Sequence, residues 1–291
     1  MKFISFEANG AASYGLVLGG AVVDLGARLA PGIPDLKAFI ANPEWRALAE
    51  TAIDAGDRSL TMDEVDLLPV IPNPGKFLCV ALNYHDHVAE ANAALPGGRE
   101  VPKYPMMFAR MAETLVGHDR DLVRPKVSKD FDYEAELLVV IGSHVPRYTQ
   151  PEDALQYVFG YSALNEGSMR DYQFHTRQLT AGKNFYQSGG AGPWLVTADE
   201  IADPQDLSIE FRLNGTVLQR ADTKDMIFSV AKLISYISEW LPLAPGDMIG
   251  SGTMGGVGFT RKPPIFMRPG DKAEVAITSI GTLVNGIVDE H

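Results

Sequence analysis

The run Phe131-Asp132-Tyr133-Glu134-Ala135-Glu136-Leu137-Leu138-Val139-Val140-Ile141-Gly142 constrains this chain more than any other stretch. It carries two glutamates, two positions apart, straight into an unbroken apolar segment. The β-branched Val139, Val140 and Ile141 ahead of Gly142 predict a strand rather than a helix. Side chains alternate along a strand, so Glu134 and Glu136 are expected on one face, with Tyr133, Ala135 and Leu137 on the other. Two carboxylates on one face of a largely apolar strand repel each other and lose hydration. They require a cation, a shared proton or open water.

Around this strand, 291 residues with 46% apolar side chains suffice for one large domain, or a small one beside a larger one. No apolar run reaches the roughly 18 to 20 residues of a membrane span. The opening Met1-Lys2-Phe3-Ile4-Ser5-Phe6-Glu7 lacks the long apolar segment of a secretory signal. The lone Cys79 excludes an internal disulfide, and a soluble cytoplasmic protein is expected. A net charge of −12 without any Lys/Arg cluster argues against nucleic acid or an anionic membrane as partner.

Strands are predicted at Lys2 to Phe6, Tyr14 to Leu18 and Ala21 to Asp24, the last two joined by Gly19-Gly20 in a tight hairpin. Two helices follow, one starting near Pro34 and one carrying the apolar stripe Trp45, Leu48, Ala49 and Ala52. The prolines of Leu67 to Gly75 mark a boundary between a small N-terminal α+β domain, 1–72, and a larger domain, 73–291. Lys76 to Val80 reads as a strand leading into the segment 81–92, where Asn83 caps a short helix with Asp86 in its first turn. On that helix His87 and Glu90 are neighbours. The segment Leu95 to Glu100 is expected to be mobile, so helix and loop together would form a lid. Beyond residue 103 strands dominate: Phe159 to Leu164, Trp194 to Thr197, Leu207 to Leu213 and Ala273 to Ile280, with Asn214-Gly215 turning a hairpin onto Val217 to Arg220. One amphipathic helix is predicted over Ile227 to Trp240. The class is mainly β, α+β.

Gly250-Ser251-Gly252-Thr253-Met254-Gly255 matches the dinucleotide fingerprint letter by letter. That motif works only where a helix begins at the pyrophosphate, and Gly256, Gly258, Pro263 and Pro264 preclude one, leaving a glycine-rich loop near a site. A Glu-x-Glu on a strand is commonly a solvated face. Glu166, at the end of another apolar run, shifts the balance, since it could share a pocket with Glu134 and Glu136. Three carboxylates without clustered Cys or His suit a hard cation, Mg²⁺ or Mn²⁺ with Ca²⁺ as a further option, rather than zinc.

In order along residues 73–288, these motifs resemble the fumarylacetoacetate hydrolase superfamily. Leu82 to Glu90 is similar to its lid segment, Asp132 to Leu137 to its metal strand, and Gly160 to Asp171 to its third-ligand turn. Gly182-Lys183-Asn184-Phe185, Gly192-Pro193-Trp194-Leu195, Pro245 to Ile249 and Gly252 to Gly258 complete the series. The resemblance implies a mixed β-sheet roll, a homodimer, and a divalent cation held by Glu134, Glu136 and Glu166. It also implies a small oxo-acid substrate, His87 and Glu90 as a water-activating dyad, and the acylpyruvase and oxaloacetate decarboxylase branch, with a place in aromatic catabolism. Three positions depart from the pattern: Glu166 where Asp is usual, Arg110 for a lysine, and Met254 for a proline.

The expected reaction is hydrolysis of a C–C bond in a β-diketo acid by water activated at His87. Lys183 and Gln173 are candidates to hold the oxyanion, and Arg110, Tyr84 and Thr253 to bind substrate. Each has a plainer reading: a surface His–Glu pair, a solvated lysine, a helix-surface amide. Arg170 and Asp171 read as a structural ion pair. Decarboxylation of a β-keto acid such as oxaloacetate, isomerisation or hydration of an oxo acid, and a non-catalytic metal- or oxo-acid-binding role are the alternatives.

Overall fold

The computed structural model describes residues 1–56, 60–94 and 100–291. Twelve described strands form one mixed sheet. Its main path runs Leu60–Thr61, Ala21–Asp24, Ala11–Leu18, Lys2–Ala8, Gly189–Thr197, Val158–Asn165, Ala135–Ile141, Met248–Gly250, Phe77–Ala81 and Met106–Ala109. A second sheet of five strands, Thr216–Asp222, Ser208–Leu213, Lys272–Ile277, Gly281–Asp289 and Leu122–Arg124, packs against it. The expected mainly β architecture is the one observed.

The strand Ala135–Ile141 lies near the middle of the large sheet and is buried at every residue. Its two faces feed two cores. Leu137, Val139 and Ile141 join Phe211, Val275 and Leu283 of the second sheet. Leu138 and Val140 join Phe3, Phe39, Ala49 and Phe159, so the N-terminal helices roof the other side. Burial on both faces accounts for the uninterrupted apolar run, each such side chain contributing about 1.5–3 kcal/mol on leaving water. The N-terminal segment is also joined edge-on, with Lys2 opposite Val196 and Phe3 opposite Leu195.

Several elements differ from expectation for identifiable reasons. The strand predicted over 131–142 is broken at Tyr133 and Glu134. Phe131–Asp132 pairs separately with Ser168–Met169, while Glu166 N–H donates to the Glu134 carbonyl at 2.8 Å. The helix His85–Ala94 is not capped by Asn83. That amide instead donates to the carbonyls of Phe228 (3.0 Å) and Ser251 (2.7 Å) and accepts from Phe228 N–H, tying three segments together. The amphipathic helix starts at Val230, because the Ser229 hydroxyl caps it and Ile227 N–H is taken by the Asn83 carbonyl. After Met248–Gly250 comes a turn-rich loop and a 3₁₀ turn at Gly258–Thr260, with no α-helix, as the dinucleotide motif was expected to lack. Of the loop expected to be mobile, residues 95–99 lie outside the described residues. No described helix is long and apolar enough to cross a membrane.

Candidate metal centre and catalytic dyad

The break in the strand assembles the acidic cluster. Glu134 N–H donates to the Asn165 side chain at 3.2 Å, Ala135 pairs across to Asn165, and Glu136 sits opposite Leu164. Glu134, Glu136 and Glu166 thereby each bring one carboxylate oxygen within 4.8 Å of the others. All three are at most 5% exposed. Three crowded carboxylates without Cys or His form a hard oxygen donor set. Glu136 Oε1 is buried with no hydrogen-bond partner among the described residues, a cost that a cation at this position removes. The residues therefore fit a divalent cation such as Mg²⁺, Mn²⁺ or Ca²⁺.

Electrostatics distinguish the three. Burial, followed by repulsion from Glu166 and Glu134, pushes the Glu136 carboxyl well above the usual range. Glu166 is pushed up to about 7, mainly by burial. Glu134 goes the other way: burial opposes ionisation, but Lys183 and Arg170 outweigh it and hold the carboxyl low. Its two oxygens accept from Arg170 Nη1 at 2.7 Å and Lys183 Nζ at 2.8 Å.

Lys183, expected at the oxyanion, bridges Glu134 and Glu166, the latter at 2.7 Å. Burial alone would lower its pKa, and the two carboxylates reverse that, so the ammonium stays charged. Arg170 pairs with Asp132 and Glu134 and not with Asp171, whose carboxylate accepts from the Ser128 hydroxyl instead. Asp132, which was not singled out from the sequence, also accepts from the N–H groups of Gly258 (2.8 Å) and Phe259 (3.0 Å) and so fixes the end of the glycine-rich loop. That loop approaches the cluster closely: Gly252, at φ +88°, donates its N–H to Glu136 Oε2 at 3.0 Å.

The dyad is formed. His87 Nδ1 lies 2.9 Å from Glu90 Oε1. A carboxylate there favours the tautomer whose Nδ1–H donates, leaving the Nε2 lone pair free to accept a proton. The other Glu90 oxygen accepts from Gly256 N–H (2.8 Å) and the Thr260 hydroxyl (3.1 Å), so the loop orients the dyad.

His87, Glu134, Arg170, Gln173, Lys183 and Thr253 all line one cavity of about 320 Å³. Gln173 accepts from Arg170 through its side-chain oxygen at 2.8 Å. Thr253 reaches the cavity, but its hydroxyl donates to the Ala135 carbonyl and accepts from Gln219. Two expected substrate ligands lie elsewhere. Arg110 is buried behind Glu166, its guanidinium shared among Thr114, Glu166, Gly167 and Ser188. Tyr84 is buried outside the cavity lining, its hydroxyl without a partner among the described residues. Phe174, Arg177 and Phe259, which also line the cavity, had no distinguishing sequence signal.

The fold carries a buried carboxylate triad suited to a divalent cation, and the chain belongs to the fumarylacetoacetate hydrolase family: residues 76–288 match the model of its C-terminal domain. The chain is 36% identical over 296 residues to oxaloacetate tautomerase FAHD2A, mitochondrial, of Bos taurus, covering 99% of this chain and 92% of that protein. The human protein of the same name is 36% identical over 274 residues, covering 93% and 85%. Among solved structures, maleylpyruvate hydrolase from Sphingobium in complex with manganese(II) and pyruvate superposes with a TM-score of 0.80 at 26% identity, both chains fully covered.

Proposed function

We propose that this chain is a divalent-metal-dependent keto–enol tautomerase of a 2-oxo dicarboxylic acid of the oxaloacetate type. The observation that carries the reading is the hydrogen-bonded His87–Glu90 pair opening onto the same cavity as Glu134. The relatives named as oxaloacetate tautomerases, matching over nearly the whole chain, support the substrate class.

A bound divalent cation supplies Lewis-acid polarisation of the 2-oxo group. His87 Nε2 takes the proton from C3, the C–H electron pair becomes the C2–C3 double bond, and the oxygen gains a proton, so no co-reactant is consumed. Glu90 holds the imidazole in the accepting tautomer and stabilises its protonated form. Lys183, kept charged by Glu134 and Glu166, supplies further positive charge near the developing oxyanion.

Hydrolysis of a β-diketo acid is the second reading. The same dyad can take a proton from water, and the maleylpyruvate hydrolase likeness favours it. The deciding experiment presents Mg²⁺- or Mn²⁺-loaded protein with the enol form of oxaloacetate and with acylpyruvates. Accelerated enol–keto interconversion without product release is the expected result. Pyruvate plus a carboxylic acid would establish hydrolysis instead, and CO₂ release decarboxylation.

A further inference from the structure

We infer that Arg177 is the specificity-determining residue that receives the distal carboxylate of a dianionic substrate, an inference that rests on the proposed oxo-acid reading. Five ionisable side chains line the cavity: His87, Glu134, Arg170, Arg177 and Lys183. Four are matched internally. His87 pairs with Glu90, while Arg170 and Lys183 are committed to Glu134 together with Asp132 and Glu166. Arg177 makes no hydrogen bond or ion pair among the described residues. It follows the short helix Arg170–Gln173 in an exposed bend, with Phe174, Thr176 and Leu179 of the same segment also lining the cavity.

The chemistry of the remaining wall makes this cation matter. Ala91, Met106, Phe174, Leu179 and Phe259 offer no side-chain hydrogen-bond donor; Thr176 turns its hydroxyl to the Gln178 carbonyl, and Gln173 adds only a neutral amide. A 2-oxo dicarboxylate has its reacting carbonyl beside one carboxylate and a second carboxylate at the other end. With the first end at the acidic cluster, the second would lose water against apolar side chains unless a donor met it. Arg177 is the uncommitted charged donor of the lining, and its planar fork suits a carboxylate. In a protein of net charge −12 it also gives an incoming dianion a local positive field.

The experiment compares wild type, Arg177→Gln and Arg177→Lys, all loaded with Mg²⁺, on oxaloacetate and on its 4-methyl ester, which lacks the distal charge. Arg177→Gln should raise KM for the diacid about tenfold with kcat nearly unchanged, leave KM for the ester unaltered, and be largely rescued by Arg177→Lys. Equal losses on both compounds, or no loss on the diacid, would overturn the assignment. Calorimetric binding of the same two compounds is measured in parallel. If wild type turns over neither, the tautomerase reading fails, and the diacid-to-ester affinity ratio, expected to collapse only in Arg177→Gln, still decides the role of Arg177.

Discussion

Burial pushes Glu136 well above the usual carboxylate range and Glu166 up to about 7, so in the metal-free protein both carboxyls favour the protonated form as the pH falls to 6. A cation needs the ionised form. Mg²⁺ affinity should therefore rise between pH 6 and pH 8 with proton release at the lower pH, measurable by titration calorimetry in two buffers of different ionisation enthalpy. A pH-independent affinity would contradict the assignment of Glu136 and Glu166 as ligands. Thr260 offers a second test at this scale, since its hydroxyl reaches the dyad through Glu90 (3.1 Å) while also meeting the Val257 carbonyl of its own loop (2.9 Å). Thr260→Val should lower turnover roughly three- to tenfold with KM and metal affinity unchanged, and Thr260→Ser should restore it. The acidic residues and the His87–Glu90 pair could be singled out in the sequence by their spacing together with the order of motifs in the family resemblance, because spacing alone suits a solvated face equally well; Glu134 itself lies just outside the strand Ala135–Ile141. The places of Arg110 and Tyr84 were not legible there, because residue type says nothing about which neighbour claims a guanidinium or a hydroxyl first. Arg110 was claimed by Glu166 and Ser188.

The strand Ala135–Ile141 and the loop after Gly250 act as a pair. Gly252 occupies the left-handed region, and a Cβ there would lie 2.7 Å from Asn83 Cβ and 2.8 Å from the Val80 carbonyl. Gly252→Ala should therefore both destabilise the fold and displace the N–H that holds Glu136 Oε2. We expect a melting temperature lowered by several degrees, about 1–3 kcal/mol of strain, together with weakened metal binding. Unchanged melting and affinity would show the loop to be more compliant than the geometry allows. Local signals located most elements: Asn214-Gly215 closes the hairpin of Ser208–Leu213 with Thr216–Asp222, and Gly19-Gly20 closes that of Ala11–Leu18 with Ala21–Asp24. The strand Gly281–Asp289 escaped notice. Gly281, Asn285 and Gly286 interrupt its apolar pattern, and its pairing is supplied by Lys272–Ile277 and Leu122–Arg124, the latter far away in sequence. The break at Tyr133 and Glu134 likewise depends on Asn165 and Glu166, which a local reading of the strand does not contain.

Across the whole molecule, the large sheet joins the N-terminal strands to those bearing the acidic cluster, and the second sheet closes the core beneath. The cluster sits where both sheets restrain its strand. The dyad arrives from a helix latched to the glycine-rich loop through Glu90. This division makes the central claim testable by separating metal from base. The direct measurement is deuterium exchange at C3 of oxaloacetate followed by NMR, for Mg²⁺-loaded wild type, chelated wild type and Mg²⁺-loaded His87→Ala. The account predicts that exchange falls to the uncatalysed rate on chelation, and by about 10² to 10⁴ in His87→Ala while Mg²⁺ affinity is retained. Exchange at the wild-type rate in either sample would contradict it.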